Sequence, residues 1–313
     1  MGPLMDVPAL AARSDAGQRT VLLDVRWALG DPHSRQHYLE GHLPGAVFVD
    51  LSTELATPAT PARGRHPLPV HDEFQETARR WGVNNGDVVV AYDNSGNMAA
   101  ARLWWMLRNA GFQDVYLLDG GLAAWLDAGL PLDTGPVDAA VGRVSFDVSP
   151  AGGRMPSIDA AGAADWPATG VLLDARAGER YRGEFEPVDP RAGHIPGARS
   201  APTTENVDGA GLFLPADQLR RRFEELGVRD DVPVAVYCGS GVTAAHEVAA
   251  LEIAGFQAAL YPGSFSEWSN NPARPVATGS GPSGHAAARG GVASKDDPRT
   301  PRTAAPCPPR FAE

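Results

Sequence analysis

Cysteine is nearly absent from this chain: 313 residues contain only Cys238 and Cys307. Cys307 sits in a Pro-rich stretch, so no structural disulfide is expected, and a reducing, cytoplasmic setting fits. Long apolar runs are missing too. No segment reaches the roughly 18 apolar residues that a membrane span needs. The opening M-G-P-L-M-D-V-P-A-L lacks a basic region followed by an apolar stretch, so it does not read as a signal peptide. Positive charge is in deficit, with 27 Lys and Arg against 38 Asp and Glu and a net charge of −11. Nucleic acid and anionic membrane are therefore poor partners. An anionic small molecule would need a local cluster of arginines. Paired Cys/His spacings are absent, so neither a metal nor another cofactor is expected.

What the chain does have is a duplication. Its hydrophobic content of 43% supports real cores, and its length suits two domains. The first copy reads L-L-D-V-R at 22–26, G-H-L-P-G-A at 41–46, V-V-V-A-Y-D at 88–93, A-G-F at 110–112 and D-G-G-L-A-A-W at 119–125. The second reads L-L-D-A-R at 172–176, G-H-I-P-G-A at 193–198, P-V-A-V-Y-C at 233–238, A-G-F at 254–256 and P-G-S-F-S-E-W at 262–268. The offset drifts from 150 (Asp24 to Asp174) to 143 (Trp125 to Trp268), as small loop insertions and deletions would produce.

Each copy alternates short apolar runs with helix-period segments. The runs 21–25, 88–92 and 115–119 read as strands, as do 171–175, 234–237 and 258–261. Continuous apolar strands separated by helices predict parallel sheets covered on both faces. Helices are expected over 99–110 and 243–254, each stopped by a glycine, Gly111 and Gly255. The G-H-x-P-G-A segments read as turns, and their His42 and His194 as structural. The division expected is a first domain at 1–140, a linker at 141–156, a second domain at 157–277 and a disordered tail at 278–313.

The chemistry points to Cys238. It lies in V-A-V-Y-C-G-S-G-V-T-A-A-H-E, where a strand runs into a glycine-rich turn and then a helix. A thiol placed there faces backbone N–H groups at the positive end of a helix dipole, which favours a nucleophilic thiolate. Six consecutive N–H groups from Gly239 to Ala244, those of Gly241, Val242 and Thr243 among them, are expected to hold an anionic sulfur, and Gly239 and Gly241 permit the curl. Thr243 is expected to cap the helix. Asp93 occupies the equivalent place in the first copy, and a carboxylate cannot accept sulfur, so that copy is expected to be catalytically silent. Cysteine-dependent phosphatases share the strand–turn–helix, but they need an arginine six residues after the cysteine, and residue 244 is Ala.

The duplicated D-x-R, G-H-[LI]-P-G-A and G-G/G-S…W blocks, with a cysteine only in the second copy, resemble the tandem-domain rhodanese superfamily over about residues 18–276. The loop C-G-S-G-V-T-A is similar to that of its 3-mercaptopyruvate branch; the thiosulfate branch more often carries basic residues after the cysteine. The resemblance implies two α/β/α domains, each around a mainly parallel five-stranded sheet, with the site at the domain interface. It implies a sulfurtransferase that moves sulfane sulfur from 3-mercaptopyruvate, or from thiosulfate, through a Cys238 persulfide to cyanide or a thiol acceptor, either a small thiol or a thioredoxin-like protein. A persulfide carrier serving a protein partner is the non-enzymatic alternative.

The resemblance also assigns residues. Arg180 matches the donor-carboxylate arginine. The 3-mercaptopyruvate branch has a second arginine nine residues on; here that residue is Asp189, and Arg191 is the candidate substitute. Ser240, Asp50 and His66 match a proton relay for an enolate leaving group, against the blander readings of Asp50 as a turn cap and His66 as a surface residue. Arg176, in the repeated D-x-R block with Arg26, reads as a structural ion pair.

Overall fold

A computed structural model describes residues 2–146 and 153–283, and the backbone of 285–286. Cys307 and the rest of the expected tail lie outside the described residues. The first half forms a five-stranded parallel sheet from β1 (Leu4–Met5), β2 (Thr20–Asp24), β3 (Val47–Phe48), β4 (Val88–Tyr92) and β5 (Val115–Leu118), in the order β1-β5-β4-β2-β3. The second half forms a parallel sheet from β6 (Val171–Asp174), β7 (Arg199–Ser200), β8 (Val234–Tyr237) and β9 (Ala258–Leu260), in the order β7-β6-β8-β9. That is four strands where five were expected. The missing edge survives as a single parallel bridge, Ser157 to Leu260. Its two hydrogen bonds, Leu260 N–H to Pro156 O and Ile158 N–H to Leu260 O, repeat those that Pro3 and Met5 make with β5 in the first sheet.

Helices cover both faces of each sheet. The first half has α1 (Val7–Asp15), α2 (Ser34–Glu40), α3 (Leu51–Glu54), α4 (His71–Arg80), α5 (Ala100–Asn109) and α6 (Gly121–Asp127). The second has α7 (Ala160–Asp165), α8 (Gly178–Arg182), α9 (Ala216–Glu225), α10 (Thr243–Ile253) and α11 (Ser264–Asn270). Helices α5 and α10 start just beyond the loops that follow β4 and β8. Both end where Gly111 and Gly255 take positive φ, +92° and +87°, and let Phe112 and Phe256 N–H bond back to Leu107 and Leu251. Residues Ala100–Leu107 are buried all round, as are Ala244–Leu251, because α5 and α10 pack against each other. Their side chains belong to one hydrophobic cluster that spans the two halves. The outer face of each sheet has its own cluster.

The repeated motifs are structural braces. Tyr92 donates to Asp24 at 2.6 Å and accepts from Leu43 N–H; Arg26 pairs with Asp24 and donates to Gly41 O. In the second half, Arg176 pairs with Asp174 and donates to Gly193 O, while Tyr237 accepts from Ile195 N–H. His42 and His194 are fully buried, bond through Nδ1 to Tyr38 O and Tyr181 O, and stack on those tyrosine rings at 4.1 and 3.8 Å.

The described parts of the expected linker and of the start of the expected tail are held to the domains. Within 141–156, Gly142 N–H bonds Arg79 O, Val144 N–H bonds Val83 O, and Phe146 stacks on Phe74. At the far end, β10 (Ala277–Thr278) pairs antiparallel with β11 (His285–Ala286), Gly279 N–H bonds Arg182 O, and Gly197 N–H bonds Pro282 O. Backbone pairing thus continues past position 278, where the tail was expected to begin. Among the described residues no helix is long and apolar enough to cross a membrane, and no group of side chains is arranged to hold a metal ion.

Candidate active site

Cys238 follows β8 directly and is 1% exposed. Gly241 takes φ +77°, and a Cβ there would lie 2.2 Å from Pro262 O, so only glycine fits this curl. The curl aims Gly241 N–H at Cys238 Sγ, at 3.1 Å. Val242, not Thr243, is the helix cap; Thr243 is the first helical residue, and its hydroxyl makes no capping bond. The Cys238 amide is fixed from behind. Its N–H donates to Ser264 Oγ at 3.1 Å, and its carbonyl accepts from Phe265 N–H. Ser264 sits at φ +53°, a region that a side-chain-bearing residue seldom adopts.

The equivalent loop in the first half is occupied. The buried Asp93 carboxylate accepts four backbone N–H bonds, from Ser95, Asn97, Ala99 and Ala100, at 2.8 to 3.1 Å. The same strand–turn–helix architecture thus encloses a carboxyl group with backbone donors alone; burial raises that carboxyl and the four N–H bonds oppose the shift.

The first half reaches into the site through residues 64–66. Gly64, at φ +81°, lies so close to α11 that a Cβ would meet Ser266 Oγ at 2.6 Å and Gly263 O at 2.8 Å. That approach lets Arg65 N–H bond Ser266 Oγ and brings His66 Nδ1 to 2.8 Å from Ser240 Oγ. His66 is held down to about 4, first by burial and then by the charges of Arg102 and Arg65, so its ring is neutral near pH 7. Trp27 packs edge-on against it. His66 is thus not the surface residue of the blander reading.

Asp50 does not join this pair. Its carboxylate accepts from Ser52 N–H and its own N–H donates to Glu54, so it caps α3 at the rim of a polar cleft of about 600 Å³ that Trp27 also lines. Of the three residues matched to a relay, the structure brings Ser240 and His66 into hydrogen-bond contact, while the Oδ1 of Asp50 is engaged by Ser52 N–H.

Arg180, on α8, faces the cysteine loop. A Cβ at Gly239 would lie 2.8 Å from Arg65 Nη2 and 3.5 Å from Arg180 Nη1. Both guanidinia carry carboxylate partners. Glu186 takes Arg180 Nε and Nη2 at 3.2 and 2.7 Å, and Asp189 sits between Arg180 and Arg65, bonded to each. Burial raises the Asp189 carboxyl above the usual range, with Glu186 adding to the shift and the arginines opposing it. Burial pushes Glu186 the same way, but its bonds from Arg180 and from the Asp189 and Val188 N–H groups bring it below the usual range. Arg191, the candidate second arginine, is engaged elsewhere. Its guanidinium donates to the carbonyls of Trp268, Ser269, Asn271 and Arg274, closing the end of α11.

Three participants were not found in the sequence: Arg65, Ser264 and Arg102. Arg102 is wholly buried on α5 and has no carboxylate partner among the described residues; it donates to Gly241 O, His66 O and Leu55 O. Burial lowers it to about 10, with the charge of Cys238 working against that shift. One guanidinium thereby ties the cysteine loop to the histidine segment across the domain boundary.

The rhodanese-like domain family matches residues 6–128 and 159–271. A probable 3-mercaptopyruvate sulfurtransferase of Pseudomonas aeruginosa is 48% identical over 284 residues, covering 88% of this chain and 98% of its own. A putative thiosulfate sulfurtransferase of Mycobacterium tuberculosis, SseB, is 46% identical over 280 residues, covering 88% and 97%. The crystal structure of the 3-mercaptopyruvate enzyme SseA from Escherichia coli superposes with a TM-score of 0.74 at 33% identity, covering 85% of this chain and 99% of SseA. With the fold repeated twice, one cysteine loop at the domain interface and these relatives, the chain belongs to the rhodanese-like family and is a two-domain sulfurtransferase.

Proposed function

We propose that the protein moves sulfur from 3-mercaptopyruvate through a Cys238 persulfide to a thiol or to cyanide. The observation that carries this reading is the Ser240–His66 hydrogen bond beside Cys238. The Cys238 thiolate attacks the donor's thiol sulfur. An S–S bond forms, the donor's C–S bond breaks, and its electron pair passes to a pyruvate enolate. The proton of the donor thiol travels over Ser240 Oγ and the neutral His66 to the enolate carbon, leaving pyruvate and an anionic persulfide. Gly241 N–H and the following loop amides receive that anion, a role supported by the way the silent loop encloses Asp93. Arg180, through Nη1, takes the donor carboxylate. In the second half-reaction a thiolate or cyanide attacks the outer sulfur and returns Cys238 as thiolate.

Thiosulfate is the second reading, favoured by the two guanidinia beside Gly239. Turnover of purified protein with each donor and a small thiol, with no partner protein present, separates the two and also tests the carrier alternative. Higher kcat/KM for 3-mercaptopyruvate is expected. Cys238→Ser should abolish transfer, and intact-mass spectra after donor treatment should show one added sulfur on Cys238. Sulfur found elsewhere, or activity in Cys238→Ser, would overturn the mechanism.

A further inference from the structure

Asp189 is 1% exposed in its side chain and lies between two guanidinia from different domains, Arg65 of the first and Arg180 of the second. These are the cations nearest Gly239, next to the nucleophile. Arg180 keeps only Nη1 without an acceptor among the described contacts, since Glu186 and Asp189 hold Nε and Nη2. Arg176 also bonds Glu186 and is itself paired with Asp174, so three guanidinia and three carboxylates leave this wall of the cleft with no net charge. A carboxylate held by a guanidinium on either side is the arrangement that an anionic donor would itself seek.

We propose that Asp189 is a specificity-determining residue, a built-in carboxylate that occupies the anion seat between Arg65 and Arg180 and sets the cleft against doubly charged donors. With Asp189 in place, an incoming monoanion is held through the free edge of Arg180. A dianion meets the same single edge and the Asp189 charge as well. This inference deepens the reading of the cleft as a site for small anionic sulfur donors and rests on it. Arg65 is cast as a latent anion ligand, silenced by its pairing with Asp189.

The test replaces Asp189 by Asn, which keeps the shape and removes the charge, and by Glu, which keeps the charge. Asp189→Ser is the second neutral variant should Asn not fold. Two readouts are taken. One is kcat and KM for 3-mercaptopyruvate and for thiosulfate. The other is the concentration of pyruvate, and separately of sulfate, that halves the rate at which iodoacetamide alkylates Cys238 in the same variant. In the neutral variants KM for 3-mercaptopyruvate should fall about tenfold and KM for thiosulfate further, with kcat little changed, as expected when binding is gained equally in ground and transition states. The protecting concentrations should fall in parallel. Asp189→Glu, which keeps the charge, should show none of the KM gain, and adding Arg65→Gln to Asp189→Asn should remove the gain. Donor turnover with KM and protection unmoved in the neutral variants, or an equal gain in Asp189→Glu, would overturn the proposal. Stronger protection without turnover of any donor would support the seat and refute the proposed function instead.

Discussion

Ser264 offers an unusual inversion of a familiar stability rule. At an ordinary position Ala is more stable than Gly by about 0.4–1 kcal/mol, because Gly leaves the unfolded chain freer. Ser264 sits at φ +53°, where a Cβ costs about 1–2 kcal/mol. The matching residue in the first half is Gly121, at φ +55°, where a Cβ would come within 2.4 Å of Asp93 O. The second half keeps a serine in this strained place because its Oγ accepts from Cys238 N–H and donates to Tyr261 O. Ser264→Ala keeps the strain and orphans the buried Cys238 amide, a loss of about 1–3 kcal/mol. Ser264→Gly loses the same bond but sheds the strain. Gly is therefore expected to exceed Ala by about 1 kcal/mol, or roughly 2–4 °C in Tm for a domain of 150–250 residues. Both variants should lower kcat, since the nucleophile's amide is no longer anchored. Denaturant melts of the two variants side by side decide the matter; an Ala variant as stable as the Gly variant would refute the strain argument.

Burial holds His66 and His246 neutral, at about 4 and about 3. Unfolded histidine titrates near 6.5, so below that pH the unfolded chain binds more protons and stability falls, down to about pH 4 for His66 and pH 3 for His246. Urea midpoints should drop between pH 7 and pH 4.5, and equal midpoints would count against this assignment. Arg191→Lys should lower Tm without changing donor KM, because the guanidinium serves four carbonyls at the end of α11; a selective rise in KM would return it to the donor site. Truncation after Thr278 should melt earlier than truncation after Ala286, since it removes the Gly279–Arg182 and Gly197–Pro282 bonds; coincident melts would show that the pairing adds nothing.

The sequence was most legible where the chain repeats itself. Period and order alone placed β2, β4, β5, β6, β8 and β9, and the glycine stops placed the ends of α5 and α10. Cys238 was legible because strand, glycines and helix adjoin it along the chain. Arg65 and Arg102 were not, because they reach the loop only when two domains dock, and docking leaves no local periodicity. Ser264 was hidden in the block P-G-S-F-S-E-W, although its alignment with Gly121 was a usable signal: a position that demands glycine in one copy carries a hydroxyl in the other. The direction of Arg191 was not legible, because nearness along the chain to a motif position says nothing of where a side chain turns, and this one turns toward α11. The fifth strand of the second sheet shrank to one bridge, a distinction that no short apolar run encodes.

Gly64 pressed against α11, and Arg102 spanning Gly241 and His66, have a consequence for the integrity of the catalyst. In the proposed mechanism neither half of the polypeptide owns a complete site. One supplies His66, Arg65 and Arg102, and the other Cys238, Ser240, Arg180 and Asp189. Because α5 and α10 share one core across that boundary, separation of the halves would open the core of both and undo the working arrangement in the same event. A chain cut between them would regain its chemistry only in proportion to how well the pieces find each other again.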